Sequence, residues 1–239
     1  MKRRNLLRSA PALLCLPALV RAQPAYPSRA IRYIVPVAAG GGSDMVGRTV
    51  TERWGNLLKQ SFIVDNQAGG GGVIACQATA RSAPDGYTLM QGYVATHGTS
   101  PATRKLPYDP IKDFTPLTVA VSYVNMLVIH GNHPAKNVKE LVEYAKANPG
   151  KVSFGSAGNG SSNHLSGEVL KMMTGAPMQH VPYRGSALAM NDTISGQLTY
   201  MFDILNVAIP QSRSGRVRAL AVTSGKRSPY APEVPTMEE

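Results

Sequence analysis

Cysteine is almost absent from this chain: Cys15 and Cys76 are the only two in 239 residues. If the first 22 residues are removed, as argued below, Cys76 stands alone and no internal disulfide can form. Within Ile74-Ala75-Cys76 it reads as a small buried hydrophobe rather than a reactive thiol. Charged residues are sparse at 16%, yet 43% of the chain is hydrophobic, which excludes a disordered or mucin-like protein. No internal run approaches the ~18 apolar residues of a membrane span. Acids are outnumbered, 14 against 25 Lys and Arg, for a net charge of +11. No basic stripe interleaved with aromatics accompanies that excess, so nucleic acid is not an expected partner. Enzyme signatures are also missing. No Walker lysine follows a glycine loop, and no G-x-S-x-G elbow is present. His130 and His133 lack a third clustered ligand, so no metal is expected.

What is present begins with an address. Lys2, Arg3, Arg4, Arg8 and Arg21 fall in the first 22 residues, which hold no acid. Removing those five from +11 leaves +6. A short apolar stretch, 6–20, is broken by Pro11 and Pro17 and followed by Val20-Arg21-Ala22. This is the three-part pattern of a secretory signal, with cleavage expected after Ala22 and a periplasmic destination. Arg3-Arg4 leaves both general and twin-arginine export open. Cys15 follows leucines rather than small residues, so lipidation is not expected.

The remainder alternates strand and helix. β-Branched or apolar runs predict strands at 31–35, 62–64, 87–90, 152–154, 180–182, 198–202 and 217–222. Val46, Val50, Trp54, Leu57 and Leu58 recur at helical spacing, as do Val138, Leu141, Val142 and Ala145, and Leu165, Val169, Met172 and Met173. Residues 114–129 form a long β-branched stretch without helical period, suited to running between two lobes. The fold class is α/β: two lobes, each a mostly parallel sheet flanked by helices, joined by two extended crossing segments.

In open α/β sheets, ligands bind beyond the carboxyl ends of the strands. Loops 38–44, 96–99, 155–162 and 183–186 lie there. Three are rich in Gly or Ser and lead into helices, whose N-termini favour anions. Ser43, Ser156, Ser161 and Ser162 add hydroxyls, and Arg184 is the one basic residue in these loops. That set suits capture of a small carboxylate by neutral donors. Asp44 and Asp203 each have two readings, a loop or dipole anchor or a partner for a ligand amine; the structural role is preferred for both. Gly70 to Ala75 loosely fits a dinucleotide loop, but the acid expected ~20 residues further on is missing.

The motifs together resemble the solute receptors of tripartite tricarboxylate transporters, also called Bug proteins. Those carrying the resemblance are Ile34-Val35-Pro36 with Gly40 to Asp44, and Asn66 through Gly72. Ala83-Pro84-Asp85-Gly86-Tyr87-Thr88-Leu89 and Leu106-Pro107-Tyr108-Asp109-Pro110 follow. So do Gly155 to Ser162 with His164-Leu165, His180-Val181-Pro182-Tyr183-Arg184-Gly185, and Arg218 to Thr223. The resemblance implies a type II periplasmic binding protein with no enzymatic activity and no cofactor. It would be a monomer that captures a small carboxylate between its lobes, for a membrane permease of that transporter type or for sensing. First-lobe contacts would be Ala39, Gly40, Gly41, Gly42, Ser43, Asp44 and Thr96. Second-lobe contacts would be Ser156, Gly158, Ser161, His164, Gly185 and Asp203. The expected organisation is a signal over 1–22, a first lobe from 23–125 with 224–239, and a second lobe over 126–223. Two residues depart from the family pattern: Ala39 stands where Pro is usual and Ile204 where Asn is usual. The chain also ends before elements that would complete the first lobe, so a truncated, weakly stable or non-functional receptor is one alternative. A dinucleotide-dependent enzyme using Gly70 to Ala75 is the other.

Overall fold

The computed structural model describes residues 25–239, so the expected signal over 1–22 lies outside the described residues. The first sheet has three parallel strands in the order β2-β1-β3: β1 (Ile31–Val35), β2 (Phe62–Asn66) and β3 (Thr88–Met90). β1 is central because its side chains are apolar on both faces; Ile31, Tyr33, Ile34 and Val35 are all buried. Helix α1 (Gly42–Leu58) links β1 to β2, and α2 (Val73–Ala80), after a 3₁₀ turn at Gly70–Gly72, links β2 to β3. A wide turn at Val94–Thr99 runs into the short helix α3 (Ser100–Thr103).

α1 packs through small residues rather than through the predicted apolar stripe. Its buried positions are Gly42, Asp44, Gly47 and Thr51. A β-carbon on Gly47 would lie 2.9 Å from Val35 Cγ2, so the missing side chain is what lets helix and strand meet. Leu57, by contrast, is 78% exposed.

The second sheet has five strands in the order β6-β5-β7-β4-β8. They are β4 (Asn125–His130), β5 (Ser153–Ser156), β6 (Gln179–Pro182), β7 (Tyr200–Ile204) and β8 (Val217–Val222). β5 pairs parallel with β6 and β7, while β4 runs antiparallel to both β7 and β8. The alternation along β4 divides the core. Leu127 and Ile129 join Leu141, Phe154, Leu170 and Tyr200 on one face. Met126 and Val128 join Ala189, Met190, Met201 and Ala208 on the other. The first face is covered by α4 (Val138–Ala147) and α5 (Ser162–Thr174). The second is covered by α6 (Ser186–Ser195) and α7 (Leu205–Arg213). α4 opens on Asn137, whose side chain accepts from the Glu140 amide, as the sequence predicts. In α5 the closest approach is again a glycine: a β-carbon on Gly167 would meet the Phe154 ring at 2.2 Å. Val169, Met172 and Met173, expected on the buried face, are exposed.

The chain passes from the first sheet to the second through 104–124, an irregular stretch in which Leu117, Val119 and Val121 are exposed. Thr223 lies beside Asn125: its amide donates to the Asn125 carbonyl (2.9 Å), and its Oγ1 accepts from the Asn125 amide (3.1 Å). The sequence places the following segment, 224–239, in the first lobe, as part of a second crossing. It packs instead on the second sheet. Ala231 and Val234 enter the Met126 face of that core, Met237 rests against the other face, and Thr236 bridges parallel to Val222. These apolar anchors find cover where the second core is already built.

Candidate ligand-binding cleft

The two sheets point the N-termini of helices at one another. α1 starts after Gly41 and α6 after Gly185, both without a side-chain cap. The first amides of these helices are left to another acceptor. The lobes meet closely here. The Ala38 amide donates to the Arg184 carbonyl (2.8 Å), and Thr99 Oγ1 donates to the Gly160 carbonyl (3.0 Å). Between them lies a cleft lined by Val37, Gly41, Gly42, Ser43, Tyr123, Ala157, Asn163, Ser186, Asp203 and Ile204. Its cavity is about 20 Å³, enough for one water at the usual ~10–15 Å³ threshold and too small for an organic acid. The two lobes are in contact here and leave no room for an organic acid in this space.

Asp203 is the decisive side chain. It ends β7, is 1% exposed, and its Oδ1 accepts from the Ile204 amide (2.9 Å). Its Oδ2 is buried with no hydrogen-bond partner. Burial raises its pKa to about 7, against weaker opposing effects from the Ile204 amide and the nearby Ser186 and Asn163 side chains. No Lys or Arg lines this cleft. In its protonated form, favoured below about pH 7, this carboxyl can donate a hydrogen bond to an anion from Oδ2.

Other expected contacts sit nearby but are committed elsewhere. The Asp44 carboxylate accepts from the Gly40 amide (3.0 Å), Arg48 Nε (3.0 Å) and Asn66 Nδ2 (2.9 Å). Burial pushes this carboxyl up, but the bonds from Arg48, Gly40 and Asn66 outweigh that and hold it below the usual range. It is an anchor for its own loop. Thr96 is fully buried, its Oγ1 donating to the Tyr93 carbonyl (2.9 Å) and accepting from the Tyr93 amide (3.0 Å). Ser156 Oγ accepts from the Gly158 amide (3.1 Å) and lies 2.7 Å from His180 Nε2. Ser161 caps α5 and donates to the Gly158 carbonyl (2.7 Å). His164 accepts from the Gly160 amide (3.1 Å) and stacks on His180 with ring centroids 4.0 Å apart. These four second-lobe groups staple the 156–161 loop. Ala39 and Gly40 are exposed on the approach to α1.

Tyr123, Asn163, Ser186 and Ala157 complete the cleft lining. Ser186 was within reach of sequence, since it closes the 183–186 loop. Tyr123 was hidden in the crossing segment, where no periodicity marks a face. The Ile204 departure has a geometric meaning: a β-carbon on Gly42 would lie 2.0 Å from Ile204 Cδ1. The isoleucine fills space in the cleft.

The model of the "Tripartite tricarboxylate transporter family receptor" matches residues 46–239. The chain belongs to that family. It is a family of receptors, not of enzymes, which retires the dinucleotide alternative. A protein from the tcbD-tcbE intergenic region of Pseudomonas sp. strain P51 is 36% identical over 218 residues, covering 90% of this chain and 64% of that protein. The chain thus spans about two thirds of the length of such relatives. Rpa4515 of R. palustris, solved with adipate, is 36% identical with a TM-score of 0.85, covering 89% of this chain and 71% of that one. The periplasmic binding protein BugD is 38% identical with a TM-score of 0.81, covering 89% and 71%. These neighbours bear out the two-lobe periplasmic-binding fold expected from the sequence.

Proposed function

We propose that the chain is a periplasmic solute receptor that closes its two lobes around one small carboxylate. The ligand carboxylate sits between the α1 and α6 N-termini and accepts from the amides after Gly41 and Gly185 and from the Ser43 and Ser186 hydroxyls. Asp203, protonated, donates to the same group. Ala39, Gly40, Asp44, Thr96, Ser156, Gly158, Ser161 and His164 shape and hold the two loops. The lobes comprise the first sheet with its helices and the second sheet with its helices and the 224–239 segment. The receptor works as a monomer and hands its ligand to a tripartite-type permease or to a sensor.

The observation that carries this reading is Asp203 Oδ2, buried and unpartnered in a cleft without a cation. A buried polar atom without a partner is costly, and a ligand offers the missing bond. Adipate in Rpa4515 supports the substrate class. The test is native mass spectrometry of the chain purified from periplasm, challenged with a panel of mono- and dicarboxylic acids. One acid per chain is expected. A folded chain that takes up none of the panel overturns the reading.

A further inference from the structure

The hydrogen bonds that tie the lobes differ in what stands behind them. The Ala38 amide reaches the Arg184 carbonyl (2.8 Å), and Asn206 Nδ2 reaches Met45 Sδ (3.1 Å). Neither a peptide carbonyl nor a thioether titrates. A further tie, from Thr99 Oγ1 to the Gly160 carbonyl (3.0 Å), leads to a group that does. The Gly160 amide, on the other side of the same α-carbon, donates to His164 Nδ1 (3.1 Å). Gly160 has a left-handed φ of +81°, and a β-carbon on it would lie 3.2 Å from Thr99 Cβ. The second-lobe loop is thus pressed against the first lobe at this residue and held from behind by one imidazole nitrogen.

The direction of that bond fixes the state of the ring. A backbone amide only donates, so Nδ1 presents a lone pair and the proton of the neutral ring sits on Nε2, which faces Glu168 Oε1 at 3.9 Å. A second proton can go only to Nδ1, where two N–H groups would then point at each other. The Gly160 amide has to leave, and its residue carries the carbonyl that Thr99 holds. The His164 side chain is 22% exposed, so protons reach it from solvent. Glu168 and Lys171 stand beside it on α5 itself, and His180 on β6 stacks on it at 4.0 Å. β7 brings Tyr200 and Asp203 to α5, the latter beside Asn163, while β5 brings the uncharged Phe154 and Ser156. In the first-lobe turn, His97 Nδ1 is engaged by Thr96 Oγ1 (2.8 Å). Burial lowers the His164 pKa from its ordinary value, with Glu168 opposing and Lys171 adding to the effect. His180 is held at about 4, by burial and then by His164, so the first proton of the stacked pair goes to His164.

We propose that His164 is a proton-operated latch between the lobes. Neutral, it holds the Gly160 amide and keeps the Gly160 carbonyl against Thr99. Protonated in a mildly acidic medium, it releases the 157–161 loop and loosens the lobes on that side. The device needs no ligand and goes beyond the carboxylate reading above, so a failure of acid binding leaves it standing.

The experiment is amide hydrogen exchange of the full chain without ligand at pH 7 and pH 5, corrected for the intrinsic rate, with nitrogen NMR of the His164 ring alongside. At pH 7 the ring is expected as the Nε2–H tautomer. On acidification the protection of 157–161 is expected to fall about tenfold or more, that of 94–99 to fall with it, and the midpoint to match the His164 titration. His164→Gln, which offers an amide oxygen in place of Nδ1 and cannot titrate, is expected to show no such step, and His180→Gln to keep it. Thr99→Val is expected to leave 94–99 as weakly protected at pH 7 as the wild type is at pH 5. An Nδ1–H tautomer at pH 7, protection unchanged by acid, or a step that survives in His164→Gln overturns the latch. So does a loss confined to 157–161, since the loop would then move without loosening the lobes. If His164→Gln does not fold, the tautomer and a mismatch between the two wild-type midpoints decide the question.

Discussion

Gly42 and Ile204 face each other across the cleft, with the isoleucine Cδ1 2.0 Å from where a β-carbon on the glycine would stand. The pair joins the start of α1 to the end of β7, so lobe closure depends on the glycine. Gly42→Ala is expected to weaken carboxylate binding at least tenfold, about 1.4 kcal/mol. Ile204→Ala in the same chain is expected to recover most of that loss, because the two sites are in contact and not additive. Titration calorimetry on the two single variants and the double variant measures the coupling. Additive losses would contradict it.

Asp203 links the cleft to pH. Its folded pKa of about 7 stands above the ordinary value of about 3.9. A raised carboxyl pKa favours the folded state only while the group is neutral. That stability is complete below about pH 4 and is lost as pH rises toward 7, by up to about 4 kcal/mol. Carboxylate binding to the protonated form is correspondingly expected to weaken by about tenfold per unit above pH 7. Asp203→Asn, which keeps a donor and cannot ionise, is expected to bind with no such slope. A wild-type affinity flat from pH 6 to 9 would count against the assigned proton.

His180 acts in the opposite direction. Burial first, then the neighbouring His164, lowers its pKa to about 4. A depressed histidine pKa gives stability that is present above about 6.5 and lost as pH falls toward 4. Over pH 4 to 7 the Asp203 and His180 effects therefore oppose each other. Wild-type melting temperature is expected to change little across that window. Asp203→Asn is expected to lose stability on acidification, and His180→Gln, which keeps an amide near Ser156, to gain it. Parallel pH profiles for the two variants would refute this balance.

Cys76 lies on α2, fully buried, and burial pushes its thiol pKa up, partly offset by Tyr108 and Thr96. After removal of residues 1–22 it is the only thiol. A disulfide reagent at pH 8 is expected to label the folded chain no faster than the chain unfolds, and to label it at once in denaturant. Rapid labelling without denaturant would place the thiol at the surface.

Most strands were legible because their apolar runs are buried, as in β1, and because turns such as Pro84-Asp85-Gly86 punctuate them; β4 was not, because Asn125–His130 closes the long β-branched stretch read as a crossing between lobes. Helix α4 was legible down to its Asn137 cap. The buried faces of α1 and α5 were not, since glycines set the contact and a glycine carries no hydrophobic signal. Helices α6 and α7 were absent from the sequence reading. Ser186, at the start of α6, follows a loop without a capping side chain, and Pro210 inside α7 argues against a helix. For the cleft, the helix N-termini and Asp203 were visible as strand-end loops. The distinction between residues that face the cleft and those that hold the loops required the hydrogen bonds themselves.

The short pairing of Thr236 with Val222 has a consequence for the chain in company. β8 is the outer strand of the second sheet, and the Val222 amide donates to the Pro235 carbonyl while its own carbonyl accepts from the Met237 amide. Those groups would otherwise be a bare rim able to recruit a neighbouring molecule. Residues 235–237 act as a selvedge at one corner of this border, binding off the rim at Val222.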